Sequence, residues 1–171
     1  MVFEMKEALL LNYAVSIGMV ASNPAVGIKR YSSPNPDGIH TWIEDEAKQY
    51  LARHSLGTKA HLGMQLGLCS AQRLSDVVRM GWQHSRGNKI TVRQDKTTTP
   101  LIIPIHPDLE QALAATSRTN LTFLVSKHGK PFHVKGFGNW FRKRCDEAGL
   151  PQCSFHGLRI GSKASCRGWM Q

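Results

Sequence analysis

Apolar residues recur along most of the chain at the three-to-four spacing of helices. A first helix is predicted over residues 3–18, where one apolar face is formed by Leu9, Leu10, Tyr13 and Ile17. Gly18 and Pro24 end this pattern. The spacing places Tyr13 on a face that would be buried in a core.

Further helices follow after residue 40. Thr41 and Glu44 have the spacing of a capping box and predict a helix over residues 42–54. Helical spacing is also found over about 58–68, from Arg73 onward, and over 108–116. A longer helix over 134–148 ends at Gly149 and places on one face Phe137, Trp140, Phe141 and Cys145.

Two short runs have the composition of strands. Lys89–Gln94 and Leu101–Ile105 are rich in β-branched residues and flank a polar turn, which predicts an antiparallel hairpin. Phe123–Ser126 is predicted as a third strand. The fold class is therefore α+β, mainly helical with a small three-stranded antiparallel sheet.

A segment rich in Pro, Ser, Asp and Gly separates the first helix from the rest. We predict a linker over residues 31–40, with residues 1–30 as the end of one domain and 41–171 as the main domain. A single helix before a linker cannot bury its apolar face by itself. It is either docked on the main domain or the remnant of a preceding one.

The net charge of the chain indicates that the domain has a polyanionic partner. Twenty-two Lys and Arg against 12 Asp and Glu leave a net charge of +10. Basic side chains that neutralise phosphates release condensed counterions, so the surplus favours nucleic acid over a basic protein without such a partner.

Other compositional signals point away from membranes and secretion. The apolar run from Ala8 to Val20 is too short to span a bilayer, and the start of the chain lacks a basic leader region. Four dispersed cysteines form no CxxC pair, which predicts an intracellular protein with reduced thiols. A zinc site from Cys145, Cys153, His156 and Cys166 would match no tight ligand spacing, so these thiols are expected to be incidental.

Three separated pieces carry candidate chemistry. Arg73 lies at the border of the apolar face of a predicted helix, and Asp76 follows three residues later. The Asp76 carboxylate would hold the Arg73 guanidinium in place to bind a phosphate. A surface ion pair between the two residues is the plainer interpretation. Lys96 lies in the hairpin turn, where it could reach a leaving group or be simply solvated. His156 and Arg159 share a helix face and combine a titratable group with a permanent cation.

Taken in order, these pieces resemble the catalytic domain of the tyrosine recombinases, the phage-integrase family. The stretch before Arg73 is similar to the family's first box, in which Thr-Gly-x-Arg opens a helix, although Ala71 replaces the usual glycine here. Lys96 with Thr97 resembles the Lys-Thr of a strand turn, and SFHGLRIG resembles the second box. Residues 12–30 are similar to the end of the family's core-binding domain, just before its linker.

This resemblance implies the DNA breaking-rejoining fold and a set of roles. In the family two arginines, matched by Arg73 and Arg159, clamp a scissile DNA phosphate and stabilise its transition state. Lys96 matches the residue that protonates the departing 5′-oxygen, His156 matches a proton-transfer residue, and Asp76 is a supporting acid. The arginines supply the charge, so no metal or cofactor is expected. Double-stranded DNA and other recombinase subunits are the expected partners.

The nucleophilic tyrosine of the family is not matched in this chain. Its tyrosines are Tyr13, Tyr31 and Tyr50, all in the N-terminal third, and Gly161 and Gly168 are expected to weaken the helix after Arg159. We therefore expect a domain cut before its tyrosine, unable to cleave DNA alone, in a bacterial or phage-derived protein of the cytoplasm and nucleoid. Alternatives are a tyrosine supplied by another chain, or a non-enzymatic DNA-binding remnant that competes with an intact integrase.

Overall fold

The computed structural model describes residues 2–27, 38–94 and 100–165, with side chains from residue 9 to residue 161 of these ranges. The chain divides into two compact units, Met1–Pro36 and Asp37–Gln171. Most of the predicted linker lies outside the described residues. Within the described ranges, none of the helices has the length and apolar character needed to cross a membrane.

The first unit contains one helix and a turn. Helix α1 spans Val2–Ser16, and the following turn is tied back to it by a hydrogen bond from Asn23 Nδ2 to Asn12 Oδ1 (2.6 Å). The prediction that Tyr13 belongs to a core is wrong, because its side chain is 63% exposed. The described part of this unit offers no second element against which the apolar face could pack.

The second unit is mainly helical, as predicted. Its central helix is α3, which packs against four other helices and is buried on most of its surface. The helices are α2 (Glu44–Arg53), α3 (Lys59–Ser70), α4 (Leu74–Val77), α5 (Pro107–Ala114), α6 (Val134–Glu147) and α7 (Phe155–Ser165). N-cap side chains cap three of them: Thr58 Oγ1 accepts from His61 N at the start of α3, His106 Nδ1 accepts from Asp108 N at the start of α5, and Ser154 Oγ accepts from Gly157 N at the start of α7.

The predicted capping box at the start of α2 is wrong. The helix begins one residue after Ile43, and the acid at the third helical position is Glu46 instead of Glu44. The Glu46 carboxylate accepts a hydrogen bond from the Ile43 N–H (3.0 Å), which is the return half of a capping box. Thr41 lies before the helix, in a segment that crosses α7.

The sheet has three antiparallel strands, but one of them differs from the prediction. The predicted hairpin forms between β2 (Lys89–Arg93) and β3 (Pro100–Pro104), in a register that pairs Thr91 with Ile102. The third strand is β1 (Ser85–Arg86), which pairs with β2. Residues 123–126 make only an isolated bridge, because Phe123 and Leu124 are both buried and so do not alternate between two faces.

Aromatic rings fill the core beside α3. The predicted buried face of α6 is present, with Phe137, Phe141 and Cys145 fully buried. Phe155 of α7 packs edge-on against both phenylalanines, and Phe141 stacks on Tyr50 with ring centroids 5.3 Å apart. These contacts fasten α2, α6 and α7 around a single core.

Glycines allow α7 to lie close to its neighbours. A Cβ at Gly67 of α3 would come 2.8 Å from Leu158, and a Cβ at Gly157 would come 1.9 Å from the His40 carbonyl oxygen. Helix α7 continues through Gly161 to Ser165, and Gly161 packs against the Trp42 backbone. That Gly161 weakens this helix stays a prediction, and Gly168 lies outside the described residues.

The close approach at Gly157 makes a testable prediction. Gly157→Ala should lower the free energy of unfolding by about 3 kcal/mol or more, because the new methyl group meets a backbone oxygen that cannot move freely. Gly136→Ala is the matched control: its helical position is open, so alanine should raise the free energy of unfolding by up to about 1 kcal/mol. Urea denaturation measures both, and equal effects would contradict the packing described.

Candidate functional site

Arg73 stands between the central helix and the short helix α4. It is the N-cap residue of α4, and its carbonyl accepts the N–H groups of Asp76 (2.9 Å) and Val77 (3.0 Å). Its side chain is half-buried, at the border between core and surface as the sequence pattern predicts. The backbone before and after Arg73 is thus fixed while its side chain remains partly accessible.

Ala71 turns the chain from α3 toward Arg73. It has a left-handed conformation (φ 51°, ψ 20°), and its N–H bonds to the Gly67 carbonyl (3.1 Å). It is the only non-glycine residue with positive φ within the described ranges. An L-amino acid pays roughly 1–2 kcal/mol in this conformation, which explains in physical terms why a glycine suits the position.

Arg159 reaches this same turn from α7. Its Nε donates a hydrogen bond to the Ala71 carbonyl oxygen (3.2 Å), across 88 residues of sequence. The arginine of the His-x-x-Arg motif is therefore anchored on the backbone two residues before Arg73. Residues that sequence reasoning grouped only by their order along the chain lie at one place in the fold.

His156 and Asp76 flank the two arginines in different ways. His156 lies one helical turn before Arg159 on α7 and is exposed. The Asp76 side chain is 4% exposed, in the first turn of α4. The Asp76 N–H donates a hydrogen bond to the Arg73 carbonyl oxygen (2.9 Å). The role of the Asp76 carboxylate as a support stays a prediction.

A pair of glutamines joins the hairpin to the arginine turn, and sequence reasoning missed both. Gln94, directly after β2, donates from Nε2 to Gln72 Oε1 (2.7 Å). Gln72 is buried beside Arg73, and its own Nε2 donates to the Ser70 carbonyl (2.9 Å). Neither glutamine carries a sequence signal, because both lie in polar stretches of the chain. Lys96, two residues after Gln94, lies outside the described residues.

The tyrosines of the chain are not placed near this site by any described contact. Tyr50 is fully buried in the aromatic core, and burial raises the pKa of its hydroxyl. Tyr13 belongs to the first unit, and Tyr31 lies outside the described residues. The Tyr50 hydroxyl cannot meet a phosphate without unfolding α2.

Comparison with known proteins finds similarity to integrases in both sequence and fold. No family model matches the sequence. The chain is 29% identical over 159 residues to the integrase of Escherichia phage HK022, and the match covers 85% of this chain and 44% of that protein. The chain therefore spans less than half of this relative.

Solved structures show the same fold. A lambda integrase dimer bound to a COC′ core site aligns with a TM-score of 0.77 at 22% identity, over 95% of this chain and 64% of that one. The lambda integrase catalytic core aligns at 0.62 and 21% identity, over 77% and 85% of the two chains. The integrase of transposon Tn1549, in complex with a circular intermediate DNA, aligns at 0.76 and 11% identity, over 98% and 66%. These likenesses confirm the predicted fold.

The left-handed alanine makes a prediction about stability. Ala71→Gly should raise the free energy of unfolding by roughly 0.5–1 kcal/mol, because glycine relieves the steric cost of positive φ. Ala115→Gly is the control: Ala115 is exposed with φ of −78°, so glycine there should lower stability by about 0.4–1 kcal/mol through the unfolded chain. Urea unfolding curves test both. A loss of stability in both variants would show that Ala71 does not have this conformation.

Proposed function

We propose that the chain belongs to the phage-integrase family of tyrosine recombinases, and that its second unit binds double-stranded DNA and grips the scissile phosphate in site-specific recombination. The single observation that carries the proposal is the hydrogen bond from Arg159 to the turn that presents Arg73. It brings together two fixed cations from distant parts of a basic chain with a net charge of +10. Two such cations neutralise the single negative charge of a phosphodiester and the second negative charge that develops in its pentavalent transition state.

The chemistry of the site follows from the roles of these groups. Arg73 and Arg159 would hold the two non-bridging oxygens and stabilise the added charge of a pentavalent transition state. The hydrogen bond from Arg159 Nε to the Ala71 carbonyl oxygen would orient the guanidinium for this purpose. The backbone of Arg73 is held by the hydrogen bonds that its carbonyl oxygen accepts from Asp76 and Val77.

Proton transfer is assigned to two further residues. His156 is exposed on the first turn of α7, where it could exchange a proton with a reacting oxygen and with solvent. Lys96 would protonate the departing 5′-oxygen. Its placement would be supported by the hydrogen bond between Gln94 and Gln72, which ties the end of β2 to the residue before Arg73.

The covalent step requires a tyrosine, and we propose that this chain does not supply one by itself. Tyr50, the one tyrosine in the sequence of the second unit, is fully buried. The second unit would then work together with other recombinase subunits on DNA, within the nucleoid and cytoplasm of a bacterial host. The second candidate function is a DNA-binding competitor of an intact integrase. The burial of Tyr50 supports this function as well.

Arg159→Ala tests the phosphate clamp. Duplex DNA affinity at low salt should fall about tenfold or more, as expected for the loss of a charge-assisted hydrogen bond worth ~1.5–3 kcal/mol. The slope of log affinity against log salt should decrease by about 1. A band-shift titration at several salt concentrations measures both quantities, with circular dichroism as the check on folding.

Arg142→Ala is the matched control for this experiment. It also removes one positive charge, but from an exposed residue of α6 that faces Asp146 at 3.6 Å. Its loss of affinity should be small. If both variants lost the same DNA affinity, the change in net charge would explain the loss, and a phosphate site shared by Arg73 and Arg159 would be contradicted.

A suicide DNA substrate separates the two candidate functions. The chain alone should form no covalent adduct, because Tyr50 is buried. The missing tyrosine is supplied by adding an intact integrase. This integrase keeps its own tyrosine but has alanine in place of the arginine of its second box. An adduct formed only by the mixture, and lost with Arg159→Ala in this chain, supports a catalytic role. Binding without any adduct in the mixture favours the competitor, and an adduct formed by this chain alone would overturn the proposal.

A further inference from the structure

Three metal-ligating side chains of different kinds converge on the side of α7 that faces residues 38–43. They are His40, from the segment before α2; Glu46, from the first turn of α2; and Cys153, from the turn before α7. One ligand atom of each lies within 4.8 Å of the other two. We propose that these three residues bind one Zn²⁺ ion, with water as the fourth ligand.

The cluster is built into the fold at every member. Glu46 is 8% exposed, and its carboxylate accepts hydrogen bonds from His40 Nε2 (2.8 Å), Gln152 Nε2 (2.7 Å) and the Ile43 N–H (3.0 Å). Burial raises the pKa of the Glu46 carboxyl, but these hydrogen bonds outweigh it and leave the pKa below its ordinary value. A charged carboxylate is therefore held in a nearly closed site.

Cys153 and His40 both contact this carboxylate, but they differ in how far they are exposed to solvent. Cys153 is fully buried and its thiol hydrogen-bonds to Glu46; burial, helped by the Glu46 charge, raises the pKa of the thiol to about 12. His40 keeps 37% of its side chain exposed, so the cluster is open to solvent on that side. A water ligand can enter there, while the sulfur lies at the closed end.

The donor set favours zinc among the common ions. A thiolate, an imidazole and a carboxylate form a mixed soft and hard set that suits Zn²⁺ and excludes Mg²⁺ and Ca²⁺. Zinc would displace the thiol proton to solvent and leave His40 Nε2 as a lone-pair donor with its proton on Nδ1. The ion and the two anionic ligands then sum to zero charge, which suits a largely buried position.

The distances require a modest adjustment in both directions: His40 Nε2 and the Glu46 carboxylate, 2.8 Å apart, must separate, while any pair near the 4.8 Å limit must contract. Ligand atoms around a tetrahedral zinc lie about 3.3–3.7 Å apart, given bond lengths of ~2.0–2.3 Å. His40 has the freedom to adjust its side chain, while its carbonyl oxygen stays packed against Gly157. A bound ion would clamp the segment before α2 to the start of α7, three residues before His156. It would therefore stabilise the helix that carries His156 and Arg159.

Metal binding is tested with zinc and with cobalt as a spectroscopic probe. The purified, reduced chain should retain one zinc ion per molecule after buffer exchange. Its Tm should rise by about 10 °C when free zinc is about 100 times the Kd. Co²⁺ should produce a near-ultraviolet sulfur-to-cobalt charge-transfer band, which requires a cysteine ligand. Failure to retain zinc together with the absence of this band would overturn the proposal.

Variants identify which residues bind the ion. His40→Ala and Cys153→Ser should each lose the retained zinc and the zinc-dependent rise in Tm, and Cys153→Ser should also lose the cobalt band. Cys69→Ser and His128→Ala lie outside the cluster and should behave as the unaltered chain. If Cys153→Ser fails to fold, His40→Ala at its half-exposed position decides the question. Zinc retained by His40→Ala, or lost equally by Cys69→Ser, would assign the ion to other residues and refute this site. The outcome is independent of whether the chain binds DNA.

Discussion

The close packing of α7 on α3 is the contact on which the rest of the second unit depends. It exists because Gly67 has no side chain, which lets Leu158 and Phe155 approach the middle of α3. At this separation Arg159 reaches the Ala71 carbonyl at the end of α3. A wider gap between the two helices would separate the second-box arginine from the turn that leads to Arg73.

The opposite side of α7 is held just as tightly. The His40 carbonyl lies against Gly157, and Trp42 Nε1 donates to the Ser154 carbonyl (2.8 Å). Glu46 joins His40 to the turn before the helix. Helix α7 is thus fixed between the core and the segment before α2, which explains how the exposed His156 and the half-buried Arg159 can be held on a well-defined support.

Much of the fold could be predicted because its signals are local. Helical spacing predicted α3, α5 and α6 to within a few residues, and β-rich runs around a polar turn predicted the hairpin. The third strand was wrong because Ser85–Arg86 is too short to show any periodicity. Tyr13 was assigned to a core because an apolar face was counted without knowing what would cover it.

For the candidate site, residue type and order along the chain were enough to select Arg73, His156 and Arg159. Each of them belongs to a short motif of neighbouring residues that can be recognised in the sequence. Packing alone decided that Ala71 adopts the left-handed conformation and that its carbonyl accepts Arg159, since no local pattern encodes a contact over 88 residues. The same holds for the bridge between Gln72 and Gln94 and for the meeting of His40, Glu46 and Cys153. Local periodicity determines which elements form, whereas close contacts between distant backbone segments determine which side chains meet.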